Sequence, residues 1–117
     1  MMQRKPTVIS ADITENSATL TLKIDRALED FKGHFPQYSI LPGVTQIDLA
    51  VNYAREYFGL TGSFGGMEVI KFQEPILPDM TVTLSLTWDA EKQKLYFRYD
   101  SGQSAHSSGR MLLSECE

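Results

Sequence analysis

The chain is poor in the features that mark a secreted, metal-binding or membrane-spanning protein. It has one cysteine, Cys116, next to the C-terminal residue Glu117. A single thiol cannot close an intrachain disulfide, and no cluster of ligating side chains surrounds it, so neither a disulfide nor a metal site is expected. Uninterrupted apolar runs fall far short of the roughly 20 residues a spanning helix needs, so no membrane span is expected. The basic start Met1-Met2-Gln3-Arg4-Lys5-Pro6 leads into no apolar stretch and does not read as a signal peptide, which leaves the cytoplasm as the default location. Positive charge is in deficit: 11 Lys and Arg against 15 Asp and Glu give a net charge of -4. Nucleic acid, which favours a basic surface, is therefore not the expected partner. Repeats, linkers and low-complexity segments are missing too.

What is present is the composition of an ordinary globular protein, 42% hydrophobic and 22% charged over 117 residues. That length suits one domain, residues 1–117, able to bury a core without covalent staples.

Period-two alternation marks the strands. In Ser17–Ile24, Ala18, Leu20, Leu22 and Ile24 share one face and Thr19, Thr21 and Lys23 the other. Thr7–Ile13 is a weaker strand that could pair with it. Further strands are expected at Met67–Phe72, Thr81–Trp88, Leu95–Tyr99 and Ser104–Ser114. Asp25–Pro42 is rich in turn formers, with a short helical turn at Leu28–Phe31. Between them Val44–Phe58 changes period: Val44, Ile47, Val51, Ala54 and Phe58 form a helical stripe. Other faces carry Leu49, Ala50, Tyr53 and Tyr57, so this helix is apolar nearly all round and is expected to be buried. Pro42 suits its first turn and Gly59 its end. One helix and a long antiparallel sheet bury each other only if the sheet wraps the helix, an α+β architecture.

The segment Phe31–Ala50 holds the chemistry. Asp48 lies about 40° from Val44 around the helix, at the edge of the stripe. A carboxylate on a helix with so little polar surface is costly unless paired or protonated, although a solvent-facing Asp would carry no such cost. His34 sits in a loop between Gly33 and Phe35-Pro36, and imidazole is the side chain suited to proton transfer near neutral pH. Taken alone, a loop histidine is usually a surface residue. The other histidine, His106, lies among serines and reads as structural or exposed. At Pro42-Gly43 the helix begins, where unpaired amides of Gly43 and Val44 could stabilise an oxyanion.

Taken together, Gly33-His34-Phe35-Pro36, Leu41-Pro42-Gly43-Val44 and an acid fourteen positions after the histidine resemble the 3-hydroxyacyl-carrier-protein dehydratases of fatty acid synthesis. Lys71–Asp79 also resembles that family, and the likeness runs from about Phe31 to Leu113. Aspartate at position 48 is similar to the dehydratase/isomerase branch, and the short length is similar to the dehydratases of aryl-polyene clusters. Gln37, Ser39, Gln46 and Leu49 depart from the commonest family choices.

The resemblance implies a hotdog fold and removal of water from a 3-hydroxyacyl thioester. His34 would take the proton beside the carbonyl, Gly43 and Val44 amides would hold the oxygen, and Asp48 would help the hydroxyl leave. It implies no metal and no cofactor beyond the phosphopantetheine arm of an acyl carrier protein that bears the substrate. It further implies that His34 and Asp48 of one site come from two subunits, in a homodimer, a higher oligomer or a heterodimer with a related subunit. Phe35 and Tyr38 would line the acyl tunnel, and Lys71, Arg98 and Arg110 would contact the carrier. Three other readings remain open: a hotdog acyl-thioesterase, dehydration coupled to double-bond isomerisation, and a non-catalytic acyl-chain-binding subunit.

Overall fold

A computed structural model describes residues 5–25, 40–60, 63–102 and 104–114, with the side chains of 63–65 and 114 excepted. The order of elements is β1 (Thr7–Ile13), β2 (Ser17–Lys23), α1 (Gly43–Phe58), β3 (Ser63–Phe72), β4 (Thr81–Asp89), β5 (Lys94–Asp100) and β6 (Ala105–Ser114). The strands form one antiparallel six-stranded sheet in the order β1-β2-β4-β5-β6-β3. Strands β1 and β3 are therefore the two open edges, and β3 reaches its place by crossing from the end of α1.

The alternation expected for β2 and β4 is realised. Ala18, Leu20 and Leu22 pair in register with Leu86, Leu84 and Val82, and all six are buried. Leu95, Phe97 and Tyr99 of β5 continue this inner surface, and Met111 and Leu113 of β6 extend it. The opposite surface of β2 and β4 is built from Thr19, Thr21, Thr83, Ser85 and Thr87, none of which is buried. Each fully buried Leu or Phe on the inner surface contributes about 1.5–3 kcal/mol relative to exposure.

Helix α1 lies against this inner surface, and of the stripe expected from its sequence only Ala54 is fully buried, with Ile47, Val51 and Phe58 packed at the margin of the core. The sheet takes Gln46, Leu49, Ala50, Tyr53 and Ala54. Val44 remains 71% exposed, and Ile47, Val51 and Phe58 are only partly buried. A helix that is apolar on two sides carries no periodic signal for which side turns inward. Ala50 and Ala54 are both 0% exposed. Gly59 ends the helix in the left-handed conformation, φ 65°, that a side chain would strain.

Candidate active site

The site is built around the start of α1. Pro42 is its N-cap, with φ -59° and ψ 149°, and it has no side chain that could cap the helix. The first bond of the helix runs from the Gln46 amide to the Pro42 carbonyl, 3.1 Å. The amides of Gly43, Val44 and Thr45 therefore have no partner within the helix. No acidic residue occupies the first turn, so nothing there offsets the positive end of the helix dipole.

Buried polar groups hold this turn to the sheet. The Gln46 side chain, 4% exposed, donates to the Leu41 carbonyl at 3.1 Å and accepts from the Ser107 hydroxyl at 2.6 Å. The Tyr99 hydroxyl donates to the Gln46 carbonyl at 2.7 Å. Burial, first, and then the nearby Tyr53 push the Tyr99 hydroxyl well above its ordinary range, so it stays a donor. The Leu41 amide adds a bond to the Ile76 carbonyl, 2.8 Å.

Beside this turn lies a cavity of about 350 Å³, lined among others by Ile40, Leu41, Gly43, Gln46, Phe72 and His106. The Phe72 ring lies across Gly43: a Cβ added there would stand 2.7 Å from it. Phe72 is itself 53% exposed, so the ring forms part of the rim. His106 is buried, 2% exposed. Its Nδ1 faces the Glu74 carbonyl at 3.0 Å and its Nε2 the Ser101 hydroxyl at 3.0 Å. A carbonyl only accepts, so Nδ1 carries a hydrogen. Of the two readings given to His106 by its neighbours in sequence, exposure is ruled out.

The residues expected to act divide three ways. His34, Phe35 and Tyr38 fall within 26–39, outside the described residues, as does the turn expected at Leu28–Phe31. Gly43 lines the cavity, while Val44 stands beside it at the exposed helix start. Asp48 is exposed, on the side of α1 turned away from Gln46, and is not among the residues lining the cavity. Within one chain, then, the carboxylate and the cavity are not brought together.

Lys71, Arg98 and Arg110 lie on the outer surface of the sheet near the β3 edge. Lys71 and Arg110 line a second hollow of about 240 Å³ together with Tyr96 and Ser108. Arg110 Nε donates to Glu68 Oε1 at 2.9 Å, and Lys94 Nζ meets the same oxygen at 2.9 Å. The Lys94 hydrogen bond, above all, and the one from Arg110 hold the Glu68 carboxyl below its usual range. Arg98 lies 3.6 Å from Asp100. Two of the three cations are thus already engaged by carboxylates. Among the described residues no group of three or more His, Cys, Asp or Glu is placed to hold a metal ion. No described helix is long and apolar enough to cross a membrane.

Among the described residues, one helix packed against one face of an antiparallel six-stranded sheet is the hotdog class of fold. The family model described as "ApeI-like: ApeI dehydratase" matches residues 10–110, and the chain belongs to that family. Among solved structures it is similar to the dehydratase heterocomplex ApeI:P from Xenorhabdus doucetiae. There the identity is 38%, coverage is 95% of this chain and 99% of the other, and the TM-score is 0.89. An uncharacterized protein from Erwinia carotovora subsp. atroseptica is 36% identical, with 98% of each chain covered and a TM-score of 0.78. The 3-hydroxyacyl-(acyl-carrier-protein) dehydratase FabZ of Oenococcus oeni is 32% identical over 74 residues, which is 57% of this chain and 53% of that protein. A match to the enzyme of the same name from Ruminiclostridium cellulolyticum is 36% identical over 61 residues and takes in 43% of that protein. The chain thus spans about half the length of these curated relatives.

Proposed function

We propose that the protein removes water from a 3-hydroxyacyl thioester on an acyl carrier protein, giving the trans-2-enoyl thioester, in fatty acid or polyene-type lipid synthesis. The observation that carries this reading is the helix start: three amides with no intrahelical partner, no side-chain cap, and a cavity beside Gly43. Membership of a dehydratase family supplies the reaction class.

In this mechanism the thioester carbonyl oxygen sits against the Gly43 and Val44 amides, where charge developing on it is stabilised. His34 takes the proton from the carbon beside the carbonyl. The electron pair left behind forms the new double bond as the bond from the third carbon to oxygen breaks. Asp48, directly or through a water, gives the departing hydroxyl its proton. A proton then passes from imidazolium to carboxylate through solvent, and the site is reset. The steps are acid–base throughout and call for no cofactor beyond the phosphopantetheine arm.

The site is completed by a second subunit. Val44, at 71% exposure, Asp48 on the same side of α1, and Met67 and Phe72 on the open β3 edge form a surface that a partner would cover. That partner would bring its own chain's His34 or Asp48 to the shared site. A related but different subunit is a second reading, favoured by the assembly named for the 38% identical structure, a heterocomplex. Phe35 and Tyr38 would line the path of the acyl chain. Lys71, Arg98 and Arg110 would meet the acidic carrier, and the cytoplasm is the location proposed for the protein.

The test is turnover of a carrier-bound 3-hydroxyacyl thioester by wild type, His34→Ala, Asp48→Asn and an equal mixture of the two variants after subunit exchange. Each variant alone should be nearly inactive. In a homodimer with shared sites, half the mixed population has one intact site of two, so roughly a quarter of wild-type activity returns. Full activity of both single variants removes the proposed chemistry. Free acid as product indicates a thioesterase. Activity only after addition of a related subunit establishes the heterodimer.

A further inference from the structure

A helix start is ordinarily fixed by a Ser, Thr, Asp or Asn at the N-cap, whose oxygen takes the amide of the second or third residue. That solution orders the turn and uses up its donors. Here the N-cap is Pro42, whose side chain takes no amide. The turn is fixed from beneath instead, by one residue with all four of its polar groups engaged. The Gln46 amide bonds Pro42, its carbonyl receives Tyr99, its side-chain nitrogen reaches Leu41 and its side-chain oxygen receives Ser107. These bonds tie the segment before the helix, the first turn, β5 and β6 into a single unit. None of them uses the amide of Gly43, Val44 or Thr45.

We infer that Gln46 is a positioning residue: it orders the helix start while leaving the Gly43 and Val44 amides free for the substrate oxygen. This inference rests on the dehydratase reading, in which those amides hold the thioester carbonyl. The placement of Gln46 supports it. The residue is 4% exposed, and an amide there is costly unless every bond is made. An apolar residue of similar size would fill the same volume without that requirement. The polar choice is what sets the rotation of the turn relative to the sheet.

The inference is tested with Gln46→Met, which keeps the volume and removes the bonds, and with Ser107→Ala, which removes one bond and leaves Gln46 in place. Gln46→Met should lower kcat at least about tenfold with KM within about twofold, because misplaced donors act on the transition state more than on binding. Ser107→Ala should give a smaller loss of the same kind. Gln46→Glu should show a pH signature. Its protonated carboxyl can donate to Leu41 and accept from Ser107, so its activity relative to wild type should rise on acidification. A readout independent of turnover is the NMR order parameter of the amides at 43–45, which should fall in Gln46→Met and Ser107→Ala. Wild-type kcat in both variants, or unchanged order at those amides in both, overturns the inference. A wild-type protein that dehydrates no 3-hydroxyacyl thioester, either alone or with a related subunit, sinks the proposed reaction, and the amide order still judges Gln46 separately.

Discussion

Helix α1 has two sides that were finished to different degrees. The side facing the sheet is closed: Leu49, Ala50, Tyr53 and Ala54 are packed, and Gln46 has every polar group matched. Only the Tyr53 hydroxyl is buried without a hydrogen-bond partner among the described residues. The other side is open: Val44 and Asp48 face outward, apolar and acidic side chains together. The closed side does the work of folding and holds the helix start in place. The open side has surface to give to a partner and a carboxylate to give to a reaction. Loss of the Asp48 carboxylate on the open side should therefore cost activity without stability, and loss of packing on the closed side should cost stability.

The largest effect tests the open side. Asp48→Asn should lower turnover by about 10²–10⁴-fold, the usual worth of a general acid, with no loss of melting temperature. A drop in melting temperature equal to that of a core variant would break the separation. On the closed side, Leu49→Ala should cost about 2–5 kcal/mol in denaturant unfolding. A cost below that range would mean the sheet-facing side is less tightly packed than its burial indicates.

Smaller effects sharpen the same contrast. Pro42→Ser should supply the missing cap, raising stability by about 0.5–1 kcal/mol, and should lower kcat as the new oxygen competes for the amides. Calorimetry and steady-state kinetics on one preparation would decide it. Tyr53→Phe removes a hydroxyl with no described partner and should be neutral or stabilising by up to about 1 kcal/mol at neutral pH. Burial, then Tyr57 and Glu56, raise the Tyr53 hydroxyl from 10.0 to about 12. The unfolded chain therefore loses this proton first, and stability should decline as pH rises from about 10 to about 12. The Phe variant should flatten that decline in alkaline unfolding curves. Least of all, Arg110→Ala breaks an exposed pair with Glu68 and should change stability by under about 1 kcal/mol.

Much of the fold was legible in the sequence. The alternation in Ser17–Ile24 and Thr81–Trp88 gave strands that pair in register, and the change of period after Pro42 located α1 within one residue. The side of α1 that packs was not legible, because Val44, Ile47 and Val51 are as apolar as Leu49, Ala50 and Tyr53. The helix start could be read from Pro42-Gly43. Its anchorage could not: Gln46 meets Tyr99 and Ser107, 53 and 61 residues further along, and nothing in a linear sequence pairs them. The burial of His106 was not legible for the same reason, since its partners are the Glu74 carbonyl, 32 residues earlier, and the Ser101 hydroxyl between β5 and β6.

The sealing of His106 has a practical consequence. The chain has two histidines, and this one is 2% exposed with both ring nitrogens occupied. A reagent that acylates imidazole should spare it while the protein is folded. Of the two histidines, inactivation by such a reagent, reversed by hydroxylamine, would then report on His34, with no mutation needed to tell the two apart.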